Sequence, residues 1–384
     1  MRSEIFFQNS LLQRAEIRAA YSRYFHQEFE SSGILGIEFG VLTWHFSASA
    51  HFKDRGALKN GAIGIWSEYR DFAAGGLVFT PPTIEKSLAG FMYQEAVFGA
   101  LGLSAALRYD VKNVAPEYEK DSIRIGLIRE RNFGNFSASA SAVYRLDQHV
   151  HLGTTLMRSF RAPGIEELFS EGPHLAAYAF EIGNPELGQE TGFGSEIFIH
   201  FEHKQAHAEV SLFRNDISGY IFPRDTGQLN YRTLLPTYQF TGLDALMVGS
   251  EFRFDIKPWN GPALGGSLTF VRGELSATRT PLPWMPPLSG RLDVRYNLEN
   301  LNFGTTLRAA AAQERLGEFE QRTAGYYVYD LFGQYIFSAG QWLSSIDLVI
   351  ANVSNTTYRR HLSRVKSIMP EPGRNIKLLY KVYF

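Results

Sequence analysis

Apolar and polar residues alternate with period two along most of this chain. Phe136, Ala138, Ala140, Ala142, Tyr144 and Leu146 fall on one face, against Asn135, Ser137, Ser139, Ser141 and Arg145. Leu101, Leu103, Ala105, Leu107 and Tyr109 oppose Gly102, Ser104, Arg108 and Asp110. Leu292, Val294, Tyr296 and Leu298 oppose Arg291, Asp293, Arg295 and Asn297. At the end, Ile376, Leu378, Tyr380, Val382 and Phe384 oppose Asn375, Lys377 and Lys381. Successive strand side chains point to opposite faces, so this alternation predicts strands with one apolar face.

A soluble sandwich shows the same alternation, so the connections must decide. Short breaks fall at 338–341, 298–301, 257–262, 203–205 and 146–149. Long ones fall at 352–372, 313–324, 275–287, 219–237, 159–192 and 112–132. Short and long alternate strictly. A Greek-key sandwich mixes loop lengths at both ends. Strict alternation predicts an all-β fold, an antiparallel up-and-down transmembrane β-barrel with short periplasmic turns and long extracellular loops. The count comes to roughly 16 strands, against about 22 in the large plugged outer-membrane transporters. If Phe384 ends on the periplasmic side, the connection 159–192 faces outside.

That connection exceeds the about 12–15 residues beyond which an unstructured loop is uncommon. It also carries Phe160, Leu168, Phe169, Tyr178, Phe180 and Leu187, so it is expected to pack on something. Residues 164–169 are the best candidate for a short helix. The stretch shows no strand alternation.

Composition fits a membrane wall. The 384 residues include 35 glycines, 30 phenylalanines and 19 tyrosines, as a lipid-facing surface with aromatic girdles requires. No run approaches 18 apolar residues, which excludes a transmembrane helix but not a barrel. A formal net charge of −1 gives no global attraction to nucleic acid. With no cysteine, disulfides, thiolate-bound metal and thiol catalysis are excluded. No catalytic motif is present, whether G-x-S-x-G, H-E-x-x-H or a phosphate-cradling glycine loop, so the chain does not read as an enzyme and calls for no cofactor.

Several residues could carry binding chemistry. His149 and His151 share a strand face, and His200, His203 and His207 flank the next short turn. Both groups also suit solvated turns. Within 159–192, His174 stands with Glu166, Glu167, Glu171 and Glu181. Histidine with carboxylates can hold zinc, and the same residues can simply keep a loop soluble. Glu166, Glu167, His174, Tyr178 and Glu181 are the candidate ligand-binding set, with His174 the candidate metal ligand. Arg108, Arg145, Arg291, Arg295 and Lys377, with Asp110 and Asp293, would line a polar lumen that hydrates and does not pack.

SFRAPGIEELF, GPHLAAYAFEIGNPEL and the E-x-G entry to the next strand resemble the mid-barrel segment of TonB-dependent outer-membrane receptors. IANVSNTTYRRHLS and PGRNIKLLYKVYF resemble the end of the same family, with SLAGFMYQEAVFGALGLSAALRYD and GYYVYDLFGQY also in family order. The GPH segment is most similar to the zinc- and haem-type branch. Tyr380, Val382 and Phe384 resemble the terminal signal read by the outer-membrane assembly machinery. The resemblance implies one barrel region over 1–384, in the bacterial outer membrane and surrounded by lipid. It implies uptake of a scarce nutrient: a metal chelate or siderophore, haem, zinc or cobalamin. Coupling to the TonB complex belongs to a plug domain. Neither a plug nor a signal peptide is recognisable here, since MRSEIFFQNSLLQRAEIR lacks the apolar core of a leader. The 384 residues alone are therefore expected not to perform energised uptake. A passive porin-like channel is the rival expectation.

Overall fold

The computed structural model describes residues 1–8, 11–29, 33–76, 80–258 and 261–383. Strands occupy about 70% of the chain. Nineteen of them belong to one sheet among the described residues. Two of the nineteen, Glu171–His174 and Ala179–Ile182, lie inside the long connection, which leaves seventeen in the wall, near the roughly 16 counted along the sequence and short of the about 22 of the large plugged transporters. Wall neighbours are antiparallel and follow chain order, which is the up-and-down arrangement of a barrel wall. Among the described residues, no helix is long and apolar enough to cross a membrane.

The chain divides into two compact units. The first comprises 1–144, 154–195 and 215–246. Its strands Leu12–Phe29, Leu35–Phe52, Leu58–Gly76, Thr83–Phe98 and Leu101–Pro116 pair in sequence. Register sets Ile63 opposite Met92 and Met92 opposite Leu107, so one face is a continuous exposed apolar band. The other face carries charge in pairs. Glu85 meets Arg70 at 2.5 Å and Lys112 at 2.6 Å, and Arg108 meets Asp110 at 2.7 Å.

The second unit comprises 145–153, 196–214 and 247–384. Here Ala263–Leu275, Ser289–Asn297, Leu301–Ala310, Tyr326–Ala339, Trp342–Ala351 and Asn375–Tyr383 pair in order. Leu292, Leu307 and Tyr329 lie opposite one another on the apolar face, as do Leu348 and Leu378. The polar face pairs Arg291 with Asp293, Arg308 with Asp330 and Lys381 with Asp347. Arg295 pairs with Asp255. A one-residue slip would send every charge into the apolar band, so the alternation fixes the register.

On the polar face, Arg108, Arg291, Arg295, Asp110 and Asp293, expected to line a hydrated lumen, are partly exposed and paired. Each of these finds a charged partner within its own unit. In the first unit, the same face also packs. Phe72, two residues from Arg70, and Val114, two residues from Lys112, are buried beneath the connection 159–192. Strands also run further than the alternation suggests. Leu101–Pro116 and Arg131–Arg145 extend into the expected loop 112–132, which adds a small hairpin, Lys120–Ser122 with Gly126–Ile128. Ala206–Leu229 likewise extends into 219–237. Phe384 lies outside the described residues. Val382 pairs with Ser344, and the Tyr380 hydroxyl is 3.2 Å from Ser344 Oγ.

Candidate functional site

The connection 159–192 is a folded element. After Pro163, the helix Ile165–Phe169 begins at Gly164, whose N–H donates to Glu167 Oε2 at 2.7 Å. That contact satisfies one of the orphan donors of a helix start. Ile165, Leu168 and Phe169 sit at i, i+3 and i+4, which puts them on one face, and all three are buried. Beneath them are Phe72, Val114, Phe133, Ile221 and Phe240, all of the first unit. Burying each large side chain contributes about 1.5–3 kcal/mol.

A hairpin follows the helix. Glu171–His174 pairs antiparallel with Ala179–Ile182, which runs parallel to 237–239 of the wall. This is strand structure that the connection's pattern did not announce. Tyr178 turns the hairpin with φ 50°, in the left-handed region. Gly183 has no room for a side chain, because a Cβ there would lie 2.7 Å from the Leu168 carbonyl oxygen.

The sequence candidates separate into two roles. Glu167 is structural: it caps Gly164 and takes Arg161 at 2.8 Å, while Arg161 also holds Glu190 at 2.7 Å. Glu181 is buried, with its Oε1 3.3 Å from His174 Nδ1. Glu171 accepts from Ser122 Oγ at 2.7 Å. Glu166 and Tyr178 are exposed. Thus His174 and Glu181 come together, Glu167 serves the helix start and Arg161, and Glu166 stays exposed. Among the described residues, no group of three or more histidines and carboxylates is arranged to hold a metal ion. At the short turns, the rings of His149 and His203 lie tilted against each other with centroids 5.1 Å apart, and His207 reaches Glu202 at 2.9 Å.

A second constellation, in the second unit, was not singled out from the sequence. Three loops, 276–288, 311–325 and 352–374, meet around Glu320. Its Oε1 is 2.9 Å from Lys366 Nζ and 2.9 Å from His361 Nε2, and it accepts the Trp284 N–H at 3.1 Å. Its Oε2 accepts the Gly317 N–H at 3.1 Å. His361 Nδ1 is 3.0 Å from Thr323 Oγ1. Burial opposes ionisation of Glu320, yet His361, Lys366 and the Gly317 N–H outweigh it and bring its pKa down to about 2. Glu274 adds a second tie, holding Arg279 at 2.8 Å and Arg315 at 3.3 Å. Asn352 closes the last loop by donating to the Thr356 and Pro372 carbonyls at 2.9 and 3.3 Å. Arg364 lies over the Trp284 ring at 4.7 Å. The only local signal was the basic run YRRHLSRVK at 358–366, whose partners lie about forty residues upstream.

Residues 5–355 match the family model described as TonB dependent receptor-like, beta-barrel. Among solved structures, the fold is similar to the copper transporter OprC, with a TM-score of 0.83 at 17% identity, covering 99% of this chain and 64% of that one. It is similar to the FrpB iron transporter from Neisseria meningitidis, with a TM-score of 0.74 at 12% identity, covering 97% and 60%. It is also similar to the siderophore receptor PirA from Acinetobacter baumannii, with a TM-score of 0.69 at 15% identity, covering 96% and 60%. The chain thus spans less than two thirds of these neighbours' length. It belongs to the TonB-dependent receptor family, over that family's β-barrel region.

Proposed function

We propose that this TonB-dependent receptor barrel serves energised uptake of a scarce nutrient, a metal or a metal chelate, across the bacterial outer membrane. One observation carries the reading: the match to the receptor β-barrel over residues 5–355. The names of similar structures, which speak of copper, iron and siderophores, support the nutrient class. The alternating apolar face suits lipid, and an unfilled strand edge or unpaired backbone would not be tolerated there. Residues 1–384 act as one barrel region that supplies lipid-facing strands and ligand-facing loops. The energy for passage would come from a plug domain that moves under force from the TonB complex. The chain's role is binding and passage, not catalysis. Within 159–192, Glu166, His174 and Tyr178 are the side chains open to a ligand, while Glu167 and Glu181 hold the loop. Tyr380, Val382 and Phe384 present the closing strand to the assembly machinery.

The test is growth of a receptor-deficient strain on limiting copper, iron chelate, haem, zinc or cobalamin. The chain joined to a plug-bearing segment is compared with the 384 residues alone, in cells with and without TonB. Growth that needs both plug and TonB is the expected result. TonB-independent entry of unrelated small solutes would make this a passive channel.

A further inference from the structure

In the second unit, the apolar face of the wall ends in a group of arginines. Along Ala263–Leu275, the exposed Leu264, Leu268 and Phe270 share one parity, and Arg272 and Glu274 continue it. A Cβ at Gly273, of opposite parity, would strike Leu282 and Met285, so the loop 276–288 folds over the other side. Register gives the height of this group. Leu268, Gly290, Ala309 and Tyr327 form one row across four strands. Tyr335, Phe337 and Tyr380 stand at the far end of the same face. From Tyr327 to Phe337 a strand at the usual barrel tilt climbs about 25 Å, the height of a lipid-facing apolar band. Arg272, beyond Phe270, therefore stands just past the apolar band, at the level of lipid headgroups. Glu274 is buried and gathers three guanidinium groups: Arg272 at 2.8 Å, Arg279 at 2.8 Å and Arg315 at 3.3 Å. On the polar face of this unit, Arg291, Arg308 and Lys381 each have an aspartate of their own. Here three cations share one carboxylate, a net charge of +2. Glu314, beside Arg315 in the chain, is exposed and forms no ion pair with them among the described residues. The arginine side chains are 46%, 69% and 48% exposed, so each keeps N–H groups open to a further acceptor.

We propose that Arg272, Arg279 and Arg315 dock the phosphate monoester of a membrane lipid whose acyl chains lie against Phe270 and Leu268. The inference rests on the receptor reading above, which sets this face in lipid, and adds a partner for it. Guanidinium forks bond phosphate oxygens in pairs, and such charge-assisted bonds are roughly twice as strong as neutral ones. A phosphate monoester carries about −1.5 to −2 charges at neutral pH, which matches the group. A phosphodiester carries only one and would leave it half neutralised. Position selects a lipid over a soluble anion. A headgroup is held at this height by its own chains, next to basic side chains that anionic lipid attracts. Glu274 converges the three arginines before the lipid arrives, so little ordering is needed on binding.

The experiment is native mass spectrometry of the full chain in detergent micelles, titrated with phosphatidic acid, phosphatidylglycerol, phosphatidylcholine or inorganic phosphate. The expected result is a saturable adduct of phosphatidic acid, the phosphate monoester. Phosphatidylglycerol, an anionic diester, should bind several-fold more weakly, and phosphatidylcholine and inorganic phosphate not above background. Arg279→Gln with Arg315→Gln should weaken the phosphatidic acid adduct about tenfold or more, the scale of a lost charge-assisted hydrogen bond. Arg308→Gln, on the polar face of the same unit, should leave it unchanged. Heat-modifiable gel mobility checks folding. If the Gln pair does not fold, Arg279→Lys with Arg315→Lys decides: it keeps the charge, loses the forks and should weaken binding by a smaller factor. Phosphatidylcholine or inorganic phosphate binding as tightly as phosphatidic acid overturns the proposal. So does an adduct unchanged in a folded variant of the pair, or weakened equally by Arg308→Gln. The two readings fail separately. TonB-dependent growth with no preference for phosphatidic acid removes the lipid site and leaves the receptor. A phosphatidic acid adduct that follows Arg279 and Arg315, without TonB-dependent growth on any nutrient, removes the receptor reading and leaves the site.

Discussion

Two long loop systems in this chain are ordered by opposite physics. The connection 159–192 is seated by apolar burial: Ile165, Leu168 and Phe169 press onto Phe72, Val114, Phe133, Ile221 and Phe240. The loops 276–288, 311–325 and 352–374 are seated by buried charge, with Glu320, His361 and Lys366 at their centre. The first seat is non-directional and roughly proportional to area. The second depends on each partner remaining, because removing one leaves a buried charge uncompensated. An apolar seat tolerates changes of shape that conserve burial, whereas a polar seat fixes individual atoms.

The sharpest test of this contrast pairs Phe169→Ala with Glu320→Ala. The first should cost about 3–5 kcal/mol through the cavity it opens. The second should cost a similar about 3–5 kcal/mol through stranded Lys366 and His361. Replacing Glu320 and Lys366 together by apolar residues should recover much of the second loss, whereas no second change nearby should recover the first. Urea unfolding of all variants in micelles measures it, and recovery in neither case would erase the distinction.

Lipid supplies a third kind of seat, on the wall. Leu378 is exposed and lies opposite Leu348 on the apolar face, while Lys377 lies on the other. Leu378→Arg should cost about 2–4 kcal/mol near the bilayer midplane, and Lys377→Gln little. Equal effects in a refolded barrel would mean the faces are misassigned.

Acid should separate the two loop systems. Glu320 titrates in the folded chain near 2, below its ordinary 4.5. Its contribution is therefore complete above about 4.5 and is lost as pH falls through about 2. Hydrogen-exchange protection of the Trp284 amide, which donates to Glu320, should fall across that window while the helix Ile165–Phe169 keeps its own protection. In Glu320→Gln the dependence should vanish. Equal loss in both places would indicate general acid unfolding.

The smallest effect concerns the rim of the apolar seat. Arg161 joins Glu167 and Glu190 but is partly exposed, so Arg161→Gln should cost about 1 kcal/mol or less. Limited proteolysis within 164–190 would reveal any larger role. Cleavage as fast as in Phe169→Ala would make charge, not burial, the main tie of this loop too.

The sequence alone determined the wall. Period-two alternation is a local property, set within a few residues, so the faces of 101–109, 135–146, 291–298 and 375–382 are legible in the sequence itself. The helix at 164–169 was legible for the same reason, since Pro163 and the i, i+3, i+4 spacing lie within one turn. Where the loops go was not. The seat of 159–192 draws on residues from Phe72 to Phe240, and Glu320 meets His361 and Lys366 across forty or more positions. Nothing in EELF or in YRRHLSRVK states those distances. The hairpin at 171–182 stayed hidden because its edge pairs with the wall strand at 237–239, so its strand character comes from a distant partner. Tertiary structure also divided Glu166, Glu167, His174, Tyr178 and Glu181 into open and structural residues. Burial and partnership, which separate Glu181 from Glu166, arise only once the chain has folded back on itself.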